Sequence, residues 1–187
     1  MIILQKKQTM KKKLFIKPLL VALSVMCSLS MVMAQNAAPL SPAATATGTL
    51  KSGANIKITY SSPSVKGRKI WGELVSFDKI WRAGANAATQ IETDKEVTIE
   101  GHQLAKGKYS IYAIPTEKDW SIIFSSQTGQ SGLNHDGTTT LDLTKELFRV
   151  SSKTRKSKTI NEKLVYTISE KGFVLSWEYL EVMVPVK

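Results

Sequence analysis

The chain has one cysteine and two histidines in 187 residues, and no stretch of a dozen residues carries an i, i+3, i+4, i+7 apolar stripe. Each shortage removes a class of protein. The single thiol, Cys27, lies in an apolar N-terminal segment. From Gln35 onward there is therefore no thiol nucleophile, no disulfide framework and no cysteine-ligated metal or iron–sulfur cluster. His102 and His135 have no partner at i+2 or i+4, so zinc spacing of the HExxH kind is absent and no metal is expected. Without a helical period, bundles and doubly wound folds drop out. No prosthetic group is expected either.

Acidic residues are also missing from the first 34 positions. Lys11, Lys12 and Lys13 precede an almost wholly apolar run (14–33), and Val32-Met33-Ala34 ends on a small residue. The pattern predicts a secretory signal peptide over 1–34, cut after Ala34, and an exported protein of the periplasm or cell exterior. Met10 opens the usual start of such a leader, so residues 1–9 read as an upstream mis-start or a long basic region. Lys17 and Pro18 break the run, which argues against a retained membrane anchor. Met26 precedes Cys27 where lipid modification requires Gly, Ala or Ser, so Cys27 is expected to leave with the leader. The segment carries six lysines and no acid. The balance from Gln35 onward is therefore 20 Lys and Arg against 15 Asp and Glu, a net +5 rather than the +11 of the whole chain.

The rest reads as a short polar linker (35–44) and one domain (45–187), with no membrane span. Ile56, Ile58 and Tyr60 alternate with Lys57 and Thr59. The same period of two runs through Val97 and Ile99, Trp120 to Phe124, Leu164 to Ile168, Phe173 to Tyr179, and Val182 to Val186. TDKE (93–96), AKGK (105–108) and SEKG (169–172) supply short polar turns. DLTKELF (142–148) is the best helical fragment, one or two turns at most. About eight short strands predict an all-β fold, a single antiparallel β-sandwich or jelly-roll-like domain. Nothing in the composition sets an oligomeric state.

Five strings in the middle and at the end carry a resemblance: KGRKIWGELV (66–75), WRAGANAATQI (81–91), VTIEGHQLAKGKYSIYAIP (97–115), FRV (148–150) and WEYLEVMVPVK (177–187). The chain resembles the secreted bacterial family catalogued as domain of unknown function 2911. The resemblance implies an exported, β-rich protein and assigns no catalytic residue. Two departures stand out. Ser62 occupies a place where arginine is common, and the segment 129–146 replaces a shorter connection containing Trp and Tyr. Any ligand site shared near those positions is expected to differ here.

The sharpest candidate site is IWRAGANAAT (80–89). Arg82 offers a planar fork of donors, Gly84 permits a positive φ or close backbone approach, and Asn86 tolerates the left-handed region. With Arg68, Trp71 and Trp81 these residues make an aromatic and cationic niche suited to a glycan or anionic ligand. The competing reading is a packing device, with Arg82 satisfying buried carbonyls. The leading expectation is a non-catalytic binding module for an envelope glycan or other anionic ligand, at Arg68, Trp71, Trp81, Arg82 and Asn86. A structural protein of the envelope comes second. A hydrolase using Glu73, Asp78 or a histidine comes third, because GQSGL (129–133) is not a nucleophile elbow and SFDK (76–79) lacks companion motifs.

Asn134, Asp136 and Asp142 faintly resemble a calcium loop, but Thr138 and Thr139 fall where an acid or amide and a glycine are needed, which predicts a surface loop. Glu92, Asp94 and Glu96 read as solvated charges guarding a hairpin. RVSSKTRKSKTINEK (149–163) has six Lys and Arg against one Glu and so carries the whole net charge of residues 35–187. It reads as a lysine-protected edge segment, or as a contact for anionic surfaces. Nucleic acid is not an expected partner, since no aromatic side chain interleaves with these cations.

Overall fold

The structure, a computed structural model, describes residues 40–187. The expected leader, with Cys27 and the cleavage site after Ala34, lies outside the described residues. Nine strands follow: β1 (Ala43–Thr49), β2 (Asn55–Ser61), β3 (Thr89–Thr93), β4 (Val97–Ile99), β5 (His102–Leu104), β6 (Gly107–Ile114), β7 (Asp119–Ser125), β8 (Glu146–Ser169) and β9 (Gly172–Pro185). Seven form one antiparallel sheet in the order β1-β2-β3-β6-β7-β8-β9, and β4–β5 is a separate ribbon. The all-β antiparallel expectation holds. Sequential strands pair as a meander, and both layers come from one curled sheet.

Alternation drives the strands. In β2, Ile56, Ile58 and Tyr60 are buried while Asn55, Lys57 and Thr59 are exposed. Trp120, Ile122 and Phe124 of β7 point into the same core as Phe173, Leu175 and Trp177 of β9. The opposite face of β6–β7 is covered as well, where Tyr112 and Ile123 pack with Ala88 and Leu141. That is why Ile123, at an outward position by period, is buried.

β8 produces the curl. Residues 146–153 pair with β7, and the strand then leaves β7 to pair with β9. Near its far end it takes up the chain leaving β2. The Val65 amide donates to the Glu162 carbonyl at 2.8 Å, and the Leu164 amide to the Pro63 carbonyl at 2.9 Å. β1 rests on the same end, since a Cβ on Gly48 would lie 2.7 Å from Ile168 Cγ2. The first and last parts of the sheet thus overlap around one core. At one end the chain terminus joins the small ribbon, with Thr98 and Lys187 exchanging backbone bonds of 2.7 and 2.9 Å.

Three local details follow. β1 begins at Ala43, inside the expected linker, because pairing from Ala43 with Ser61 to Thr49 with Asn55 recruits a strand of Ala and Thr. DLTKELF yields only a 3-10 turn, Leu143–Lys145, capped by Asp142, whose carboxylate accepts from Thr144 N at 2.9 Å. Glu146 and Phe148 are then drawn into pairing with Ser125 and Phe124, so tertiary contacts override the local helical preference. The basic run is ordered inside β8. Among the described residues, no helix is long and apolar enough to cross a membrane.

Candidate functional site

The long connection from β2 to β3 holds most of the candidate residues, and its backbone is tightly constrained. Lys66, Asp78, Ala83 and Asn86 all adopt positive φ, between 49° and 58°. Such a conformation costs a non-glycine residue about 1–2 kcal/mol, so surrounding contacts must impose it. At Ala83 the contacts are evident. Its carbonyl accepts from Thr89 Oγ1 at 3.0 Å and from the Tyr166 phenol at 2.8 Å. Burial pushes that phenol far above its ordinary range, so it stays a protonated donor. Trp81 exchanges backbone bonds of 2.7 and 2.8 Å with Ala113 of β6. Gly84 keeps a negative-side φ and serves close approach instead, because a Cβ there would sit 2.8 Å from Thr89 Oγ1. Asn86 takes the left-handed conformation and its amide donates to the Ser41 carbonyl at 3.0 Å. IWRAGANAAT is therefore a fastening between the connection, β6, β8 and the start of β1.

The four tryptophans of the chain meet in one cluster. Trp71 stands edge-on to Trp120, Trp177 and Trp81 at centroid distances of 4.8, 5.6 and 5.9 Å, and Trp81 stacks on Trp177 at 6.0 Å and 16°. The Trp81 indole N–H donates to the Gly84 carbonyl at 3.0 Å. Those of Trp71, Trp120 and Trp177 are buried without a hydrogen-bond partner. The edge-to-face arrangement offsets part of that deficit by setting positive ring edges against π faces.

The two arginines separate. Arg68 folds back on its own turn and donates from Nε to the Val65 carbonyl at 3.0 Å and from Nη2 to the Ser64 carbonyl at 2.6 Å. The Arg82 guanidinium has neither a hydrogen bond nor an ion pair among the described residues, and its Nε is buried. Desolvation lowers its pKa, opposed weakly by Tyr112. Its stem does the packing, since a Cβ on Gly132 would lie 2.7 Å from Arg82 Cδ. It is thus no carbonyl-satisfying device. Arg82→Met, which keeps a stem and removes a desolvated charge, is expected to stay within about 1 kcal/mol of the parent in urea unfolding. A loss of about 3 kcal/mol would instead mean that the guanidinium holds buried acceptors.

Of the five candidates, Trp81 alone lines an open cleft of about 660 Å³ between residues 74–81 and 133–139. Leu74, Val75, Ile80 and Leu133 supply the rest of its apolar wall. Ser76, Asp78, Lys79, Asp136, Thr138 and Thr139 supply its polar groups. The 133–139 wall ties itself together. Asn134 N donates to the Thr138 carbonyl at 2.8 Å, and Asp136 accepts from Thr138 N at 2.9 Å and Thr138 Oγ1 at 2.6 Å. Those bonds, both to Oδ1, hold the Asp136 carboxyl below its ordinary pKa. Among the described residues no group of three metal-ligating side chains gathers anywhere.

The remaining candidates lie apart. Glu73 pairs with Lys69 at 3.2 Å, and His102 stacks on Phe148 at 4.7 Å. Asp94 is more than a solvated charge, because it accepts from Asn55 N and Nδ2 at 2.7 Å each and ties β3 to β2. Ser62, one of the departures noted above, is buried and donates to the Leu164 carbonyl at 2.6 Å. The other departure, 129–146, supplies one wall of the cleft through residues 133–139, and that departure was the legible signal for Leu133. Searches of curated proteins and of solved structures find no match. One family model matches, over residues 41–186, and its description is Protein of unknown function (DUF2911).

Proposed function

The chain therefore belongs to the DUF2911 family, and because that description carries no activity, we propose from the cleft that this is a non-catalytic binding module for a neutral, hydroxyl-rich ligand, a glycan segment. The observation that carries the reading is Trp81, an indole braced by three others and contributing to the wall of an open cleft. Sugar rings bury their C–H faces on such indoles, while carboxylates and hydroxyls at the rim bond to sugar hydroxyls. The charge balance argues against an anion in this cleft, since Asp78 and Asp136 outnumber Lys79. Export, expected from the leader, would place the cleft within reach of envelope glycans. Glycoside hydrolysis pairs a protonated carboxyl with an ionised one, and the bonds to Asp136 suit it only to the ionised role. The structural alternative draws support from Arg68 and Asn86, both spent on internal ties.

A glycan array followed by calorimetry on residues 35–187 tests the reading. Asp78→Asn keeps the left-handed preference, and Leu74→Ser removes apolar bulk from a side chain that is 48% exposed. Each is expected to weaken binding about tenfold with an unchanged melting temperature. Absence of any glycan ligand, or full affinity in both variants, would favour the structural role. Because Asp136 stays ionised, affinity should be flat from about pH 8 down to about pH 5. A binding step inside that window would mean another group titrates at the ligand.

A further inference from the structure

β8 carries a large irregularity in its middle. Lys156 pairs with Leu180 and Asn161 with Glu178, so four residues of β8, Ser157 to Ile160, oppose the single residue Tyr179 of β9. The surplus backbone must leave the plane of the ribbon. The protruding residues are an unusual mixture for exposed surface. Ile160 is 47% exposed, Tyr179 opposite the bulge is 49% exposed, and Lys156 and Lys158 in the same stretch are exposed too. Arg155, Lys156, Ser157 and Lys158 also line a shallow concavity of about 460 Å³. Its one carboxylate, Glu181, is already engaged by Arg155 at 2.7 Å, whereas Lys156 and Lys158 form no ion pair among the described residues.

We propose that this bulge docks the protein on a membrane surface rich in anionic phospholipid, with Lys156 and Lys158 on the phosphates and Ile160 and Tyr179 in the interfacial layer. The two chemistries together select the occupant. A soluble polyanion would use the lysines and leave Ile160 and Tyr179 in water. A lipid surface takes both, since an amphipathic tyrosine settles at headgroup depth and each nearby cation adds to the attraction. The stretch 149–163 holds the whole net charge of residues 35–187, so the field that orients the protein towards such a surface is centred here. The bulge shares no residue with the Trp81 cleft, and either assignment stands without the other.

Vesicle co-sedimentation of residues 35–187 tests this. That fragment retains the unit Leu40–Lys187 with all of the described core, and it lacks the apolar run 14–33, which would itself enter lipid. Binding is expected to phosphatidylcholine vesicles containing about a third phosphatidylglycerol and not to phosphatidylcholine alone, and to weaken steeply with added salt. K156E/K158E should lower the partition coefficient about 25-fold or more, at about fivefold per cation. I160S/Y179S should lower it severalfold while preserving the salt dependence. K51E/K106E carries the same charge change in distant turns and should stay within about threefold of the parent. Equal binding to both vesicle types, no binding to either, or an equal loss from K51E/K106E overturns the proposal. So does capture on heparin with no vesicle binding, which would assign the bulge to an acidic polymer.

Discussion

Gly172→Ala is expected to leave no folded protein at ambient temperature. Gly172 opens β9 at φ +130°, a conformation closed to residues with a side chain. A methyl group there would overlap the Val184 carbonyl oxygen and lie 2.7 Å from Val186 N and 3.0 Å from Pro185 Cα. All three obstacles are backbone, so none can rotate away. The strand end 184–186 would have to lift, carrying with it the bond from Val186 N to the Lys171 carbonyl at 3.0 Å and the pairing of Lys187 with Thr98. Gly101→Ala is the matched control. Its φ is +87° but nothing lies within 4 Å of the added methyl, so only the conformational cost of about 1–2 kcal/mol applies. Expression followed by far-UV circular dichroism separates the two. A folded Gly172→Ala protein would mean that the C-terminal strand is far less tightly seated than these contacts require.

Trp120→Ala and Trp177→Ala should each remove about 3–5 kcal/mol, set against a total of about 5–15 kcal/mol for a domain of this size. Both indoles are 1% exposed, one from β7 and one from β9, and both lean on Trp71. Deleting either leaves a cavity between the two layers and exposes the flank of its neighbours. Because both rings pack on the same two neighbours, Trp71 and Trp81, the double variant should cost less than the sum of the singles. Urea unfolding followed by circular dichroism measures this, and losses under about 1 kcal/mol would sink the picture of a continuous core through the cluster. A milder change reaches function. Trp177→Phe should fold, yet it removes the indole stacked on Trp81 at 6.0 Å, so glycan affinity should fall while the cleft residues remain intact.

The parts of this architecture that announced themselves did so through side chains that alternate. Ile56, Ile58 and Tyr60, or Phe173, Leu175 and Trp177, state their strand and its buried face outright. β1 was silent because its alternation of Thr with Ala and Gly carries no bulky apolar side chain to mark a buried face. The middle of β8 was silent because its bulge breaks the period and residues 151–159 are all Ser, Thr, Lys or Arg, with no apolar alternation. At the candidate site, Trp71 and Trp81 were legible as aromatic companions, but their companionship with Trp120 and Trp177 depends on the curl of the sheet. The cleft escaped notice for another reason. Its walls come from two loops distant in sequence, and one of them bends through a left-handed Asp78 that no local pattern requires.

The course of β8 also sets a timetable. One continuous strand must find β7, β9 and the 63–65 segment, the last nearly a hundred positions away along the chain. The SEKG turn lets β8 and β9 meet early, whereas closure onto Pro63 and Val65 has to wait for a long loop to find its ends. The molecule should accordingly fold over milliseconds to seconds rather than microseconds, with the 162–164 seam the last to close. Opening should run in reverse: the Leu164 amide, bonded across that seam, exchanges in the first opening, amides of the β8–β9 hairpin beside the SEKG turn exchange last, and those at 157–160 exchange freely in the intact protein.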